Sequence, residues 1–367
     1  MKNFFIAMML LTSSATTMAQ TQVSEYHPGM TPEGVVYYLP KTTVKVAVKV
    51  EKTSFTPGEY CKYANKYLRM NNVEESAYNK YRIISIDIFS YGEADKSKAY
   101  SVKLNAKSSA CNMKLAQDGR LMAVNADAIP ETPLPKPFKP GKRAERTDPK
   151  SLLNQEILSA GSVMKMAELT ANEIYEIRES RSALTKGEAD FMPKDGEQLR
   201  LMLNSLDEQD KALSSLFSGT IDKDTTEVTF TLTPDKEVSK QVLFRMSEKL
   251  GILDSDDMAG APYYINIKDL RTLPEENITD EKAAKAKEKA EMMAKMKGNG
   301  LFVNVPSRME ITICQGNKEM AIYETTAGQF GKVELISGDL FNKRFTTYVT
   351  LDPQSGAVDK IVAEEPK

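Results

Sequence analysis

Four valines at every second position, Val44, Val46, Val48 and Val50, alternate with Lys45, Ala47, Lys49 and Glu51. Successive side chains of a strand point to opposite faces, so this period of two specifies a strand with one buried and one wet face. Such a strand needs partners. Ile84, Ile86 and Ile88 supply one, and Tyr100, Val102 and Leu104 another. Val228, Phe230 and Leu232 alternate with threonines, and Val242-Leu-Phe244 and Tyr263-Tyr-Ile265 are further candidates. A turn at Gln117-Asp-Gly119 is predicted to join two short strands. Strands are also expected at 309–314, 319–324, 332–336, 345–351 and 357–362.

Helical periodicity occupies two stretches. Thr56-Pro-Gly58 opens a helix that places Tyr60, Tyr63, Ala64, Tyr67 and Leu68 on one face. Asp148-Pro149 offers a cap and a first-turn proline, and the stripe Leu153, Ile157, Ala160, Met164, Ala167, Ala171 and Ile174 follows it. Asp195 with Gln198 resembles a capping box ahead of Leu199, Met202, Leu206, Leu213 and Leu216. The alanines permit close approach, so the two stripes predict an antiparallel helical hairpin joined through Gly187 to Gly196.

These patterns give an α+β fold class: two β-rich units separated by the hairpin. The expected organisation is a signal peptide (1–19), an N-terminal β-rich domain with one helix (20–128), a Pro/basic linker (129–147), the hairpin (148–220) and a C-terminal β-rich domain (221–367). Residues 20–33 read as a loose leader and 280–297 as a solvated helix or spacer. The linker holds five prolines with Lys136, Lys139, Lys142, Arg143 and Arg146, and reads as extended, solvated chain. Gly34-Val-Val-Tyr-Tyr-Leu-Pro40 parallels Gly300-Leu-Phe-Val-Asn-Val-Pro306, which makes the β units candidates for a duplication. Proline in both places implies a strand edge or bulge.

Lys2, the apolar run Phe4 to Leu11 and the small residues up to Ala19 read as an export signal cleaved after Ala19. The expected location is periplasmic or extracellular. No cysteine precedes Cys61, so no lipid anchor is indicated. No second run approaches the roughly 18 apolar residues of a membrane helix, so no transmembrane segment is expected in the mature chain. The 49 basic and 51 acidic side chains nearly cancel, which gives no field toward nucleic acid. Cys61 and Cys111 are a disulfide candidate, weighed against three buried thiols, and Cys314 should face away from its strand's apolar side.

Reactive signals are few. The one histidine, His27, lies in the leader, which leaves histidine-rich zinc sites and imidazole-assisted nucleophiles without their key residue. Ser162-Val-Met-Lys165 matches S-x-x-K, but the supporting K-T-G is absent and the tetrapeptide reads as incidental. Asp254, Asp256 and Asp257 form a weak calcium candidate whose glycine, Gly260, is misplaced for an EF-hand, so an acidic turn is the plainer reading. Tyr37-Tyr38 and Tyr263-Tyr264 could stack on sugars in a chain without tryptophan, yet read better as core plus sheet surface. No catalytic residue and no cofactor are assigned.

The segments Gly34-Val-Val-Tyr-Tyr-Leu-Pro-Lys-Thr42, Thr56-Pro-Gly-Glu-Tyr60, Ile177-Arg-Glu-Ser-Arg181 and Val242-Leu-Phe-Arg-Met-Ser-Glu-Lys-Leu-Gly251 resemble an uncharacterised family of exported Bacteroidetes proteins, known only as a domain of unknown function. The resemblance implies an envelope location and one shared architecture, and supplies no activity. Cys61 stands where such relatives are expected to carry a small residue, so the resemblance does not support a Cys61–Cys111 disulfide as a family feature. Asp224-Thr225-Thr226 looks like the short O-glycosylation acceptor of that bacterial group, with Thr225 as the acceptor. The expectation is a non-catalytic envelope protein that binds a protein or glycan partner, with a carboxylate-dependent polysaccharide hydrolase as the alternative.

Overall fold

The alternating valines lie in β2 (Val35–Thr56), the second of thirteen strands in a computed structural model that describes residues 22–28, 34–103, 112–141, 146–193, 195–273, 300–341 and 345–365. Around it come β1 (Gln22–Glu25), β3 (Tyr78–Lys103), β4 (Met113–Leu115), β5 (Leu121–Val124), β6 (Thr220–Leu232) and β7 (Val238–Ser247). The rest are β8 (Gly251–Leu253), β9 (Ala261–Asp269), β10 (Gly300–Gln315), β11 (Lys318–Ser337), β12 (Thr346–Leu351) and β13 (Val358–Glu364). The α-helices are α1 (Ala64–Leu68), α2 (Gln155–Leu158), α3 (Val163–Lys186) and α4 (Gly196–Ser218). The fold is mixed α+β and β-rich, as the periodicities require. The signal-like segment with Ala19, the spacer at 280–297, Leu104 and Cys111 lie outside the described residues.

Three antiparallel sheets result, ordered β1-β3-β2-β6, β11-β10-β9-β7-β8 and β13-β12-β5-β4. The first two lie face to face. Val44, Val46, Val48 and Val50 with Ile88 pack on Phe244, Ile265, Ile267, Met309, Ile311 and Ile313, and each such side chain contributes about 1.5–3 kcal/mol by leaving water. A second core forms where the starts of β2 and β10 and the end of β3 meet the third sheet, through Tyr37, Leu39, Leu301, Val303, Val102, Leu121 and Val349. β6 joins β2, and β5 pairs with β12, so two of the sheets draw strands from both sides of the helical hairpin.

The β2–β3 and β10–β11 hairpins each run through both cores, and each breaks register on the way. The shift falls between Tyr38 and Leu39 in one and between Val305 and Ser307 in the other, beside Pro40 and Pro306. Six residues upstream Gly34 and Gly300 both hold positive φ, 131° and 147°, and a Cβ at either would run into the facing carbonyl of Val102 or Ile336. The seven-residue sequence parallel is thus also a parallel of backbone geometry.

Local departures have local causes. Val23 of the expected loose leader is buried, and β1 pairs with the end of β3. Lys49 faces Ser85 but Val50 faces Ile83, which leaves Ile84 as the extra residue of a bulge. Ile84 is therefore exposed, and Ile83 and Tyr81 take the inward side. The helix expected from Asp148 is broken into a 3-10 turn at Pro149–Leu152, α2 and α3, because Gly161 interrupts it and the Ser162 hydroxyl caps the next segment. The stripe continues across the break, with Ile157, Ala167, Ala171 and Ile174 buried, but Met164 in the first turn of α3 is exposed. Asp195 stands at the start of α4 without a side-chain cap hydrogen bond.

Where the long hairpins cross, strand edges run out of partners. β9 covers β10 only from Met309 to Cys314, and the Tyr37 hydroxyl meets the main chain of Phe302, donating to its carbonyl at 3.1 Å and accepting from its N–H at 2.9 Å. β6 reaches only Val44 on β2, and the Gln329 amide pairs with both the N–H and the carbonyl of Thr42 at 2.8 Å. Tyr37→Phe and Gln329→Leu each leave two main-chain groups unpaired. Each is expected to lower unfolding free energy by about 1–3 kcal/mol, read as a lower urea midpoint at unchanged slope.

Candidate functional site

The residues that look reactive in sequence are engaged structurally. The Ser162 hydroxyl accepts from the Lys165 N–H at 3.2 Å as the α3 cap, and the Lys165 ammonium pairs with Glu168 at 2.8 Å. Asp254, Asp256 and Asp257 sit on the exposed β8–β9 turn. Asp256 accepts from Ser255 and Asp257 from the Ala259 N–H. Among the described residues no three His, Cys, Asp or Glu side chains gather as metal ligands. Thr225 is half-buried in β6 opposite Glu51, and His27 is exposed just after β1. Cys61 is half-buried in the 3-10 turn that precedes α1, and half-buried Cys314 faces the Asn266 amide at 3.7 Å. Tyr37 and Tyr263 are core residues, and burial raises both hydroxyl pKa values above the ordinary tyrosine range.

Several concave surfaces remain among the described residues, including one of about 880 Å³ between Phe138, Arg146 and Ile221 to Thr225 and two that adjoin the hairpin and the linker. A groove of about 530 Å³ lies at the turn end of the α3–α4 hairpin, between Leu184, Met202 and Leu206, with Phe191 70% exposed beside it. A cavity of about 440 Å³ lies where Ser90, Tyr91 and Gly92 of β3 meet Arg120, the linker residues Ile129 to Leu134 and the β12–β13 turn. Arg120, only 6% exposed, ties that junction together. It donates to Asp118 at 2.6 Å, to the Pro353 carbonyl at 2.5 Å and to the Glu131 carboxylate of the linker. Ser90 joins Tyr323, Thr325 and Gln354 on the same wall. A guanidinium held by two carboxylates and a carbonyl is suited to fixing loops.

Three of the described carboxylates are held at lowered pKa by cationic partners. Glu51 is lowered chiefly by its hydrogen bond from Arg82, and Asp127 by that from Lys114. Burial pushes Asp210 up, but hydrogen bonds from Arg178 and Ser214 outweigh it and the net shift is downward. A general acid for glycoside cleavage needs the opposite shift.

The segments that stand out in sequence also have structural partners. The Tyr60 N–H donates to the Leu216 carbonyl at 2.7 Å, and its ring meets Phe217 edge-on at 5.4 Å. Arg178 grips Asp210 with two bonds of 3.0 Å and Arg181 reaches Asp207 at 2.6 Å, so Ile177–Arg181 clamps α3 to α4. Phe244 stacks between Phe230 and Tyr263 at 5.2 and 4.7 Å. Arg245 donates to the carbonyls of Ser255 and Gly260, closing the β8–β9 turn. Residues 33–359 match the family model of a domain of unknown function, DUF4831. The chain belongs to that family. No curated protein and no solved structure matches it. In this DUF4831 protein, then, the four segments named above are packing and clamping elements. Arg120, Gln329 and Asn304 escape sequence reading, since only the Asp118-Gly119 turn beside Arg120 carries a local signal.

The Arg178–Asp210 pair is partly exposed, so Arg178→Ala should cost about 0.5–1 kcal/mol and speed amide exchange over residues 180–206. Asp210 is depressed in the folded state, so its contribution is present above about pH 4 and is lost as pH falls through the lower folded value. Asp210→Asn should flatten the acid limb of a melting-temperature profile.

Proposed function

We propose that this protein is exported to the periplasm or cell exterior and acts there without catalysis, by binding a protein or glycan. The observation that carries the reading is the commitment of the recognisable polar residues to structure: Ser162 caps a helix, Arg178 and Arg181 clamp two helices, and Arg120 fixes three loops. The signal-like segment ending at Ala19 supports export. No helix among the described residues is long and apolar enough to cross a membrane. A carboxylate-dependent hydrolase is the second reading; it requires a carboxyl held protonated in a cleft, and Glu51, Asp127 and Asp210 are each shifted the other way by cationic partners.

Fractionation of producing cells should place the protein outside the cytoplasm with Gln20 as its first residue. Periplasmic cross-linking or a glycan array should return a reproducible ligand, while a panel of polysaccharides incubated with the purified protein should yield no reducing ends. Turnover of any of them, abolished by neutralising one acidic side chain, would replace this reading with the hydrolase.

A further inference from the structure

The linker between β5 and the helices is tied by polar contacts at its two ends, and between them Thr132 to Leu134 line the edge of the junction cavity. Glu131 is held by Arg120 at one end. At the other, the Phe138 N–H donates to Glu227 at 3.3 Å, and Arg146 donates to the Ile221 carbonyl at 2.6 Å and pairs with Asp222 at 2.9 Å. Residues 132–137, Thr-Pro-Leu-Pro-Lys-Pro, are all exposed between these ties and make no hydrogen bond among the described residues.

Their conformation follows from covalent sterics. Pro133, Pro135 and Pro137 have φ locked near −65°, and Thr132, Leu134 and Lys136 each precede a proline, which excludes the helical region. Six successive residues are thus held extended, about 19 Å of polyproline II-like chain at about 3.1 Å per residue. Such a segment has already lost most of the entropy that binding would otherwise cost, and its carbonyls remain open to donors. It presents pyrrolidine rings with Leu134, 37% exposed, and the cations Lys136 and Lys139 stand beside them with no ion-pair partner among the described residues. Apolar pyrrolidine rings and a leucine on a preformed extended backbone match a groove lined by aromatic rings, whose indole or phenol groups donate to the open carbonyls.

We propose that Thr132–Pro137 is a displayed recognition strap for a folded protein domain with an aromatic-lined, acid-rimmed groove. The inference rests on the non-catalytic binding reading above and chooses a protein over a glycan. It can be tested in the full-length protein with a photo-cross-linking residue in place of Leu134, and in parallel in place of Phe191 at the far end of the hairpin. The protein captured at 134 is then purified and titrated against full-length wild type, the combined Pro133→Ala, Pro135→Ala, Pro137→Ala variant, and Lys136→Glu with Lys139→Glu. The expected result is at least a tenfold weaker Kd for both variants, measured well below melting, with the melting temperature lowered by a few degrees in the proline variant through unfolded-chain entropy and unchanged in the lysine variant. Failure to capture a protein at 134, or Kd values within twofold of wild type, overturns the strap. Capture at 191 alone sinks the strap and leaves the binding reading standing. Blank results at both positions together with a blank glycan array remove both.

Discussion

Two side chains finish what the strands cannot. At the crossing of the long hairpins, β10 has no strand neighbour beside Phe302 on its β9 side and β2 has none beside Thr42 on its β6 side, and an unpaired N–H or carbonyl buried there would cost about 1–3 kcal/mol. Tyr37 and Gln329 each provide a donor and an acceptor together, which is what a main-chain residue offers in a ladder. Asn304 extends the same device, its amide nitrogen donating to the Pro40 and Ser355 carbonyls. The polar ties let one strand serve two cores, with valines on the sandwich side and Tyr37 and Leu39 on the other.

The same crossing explains why proline and glycine recur in both hairpins. A strand passing between two cores must change register, and Pro40 and Pro306 stand beside the two shifts. Gly34 and Gly300 mark the entry, where the backbone runs too close to the facing carbonyl for any side chain. The β12–β13 turn then closes the junction, because the Pro353 carbonyl receives Arg120 and Gln354 reaches Thr325 and the Thr326 carbonyl.

Much of this is legible from periodicity. The alternation over Val44 to Val50 is a local property of strand geometry, and the stripes of α3 and α4 are local to helices. The bulge at Ile84 is not, since it depends on how Val50 is met by the opposite strand. Nor is the length of β3: Ile86 and Tyr100 read as separate strands because the residues between them, such as Gly92 and Asp95, look like a loop until β2 supplies the ladder. The break before α3 was signalled by Gly161 and Ser162 and masked by a stripe that continues across it. At the junction cavity nothing in sequence connects Arg120 to Glu131 and Pro353, since the link to Pro353 spans 233 positions.

The pairing of β5 with β12 bears on the order in which the protein can assemble. Residues 121–124 pair locally with β4 but find their second neighbour only at 349–350, and the other flank of β2 waits for residues 220–232. A polypeptide delivered amino end first, from a ribosome or through a pore, therefore carries an unfinished sheet for almost its entire passage. Closing such distant loops is slow because chain entropy is lost before any contact offsets it. The third sheet therefore cannot close before residues 349–350 are available to β5.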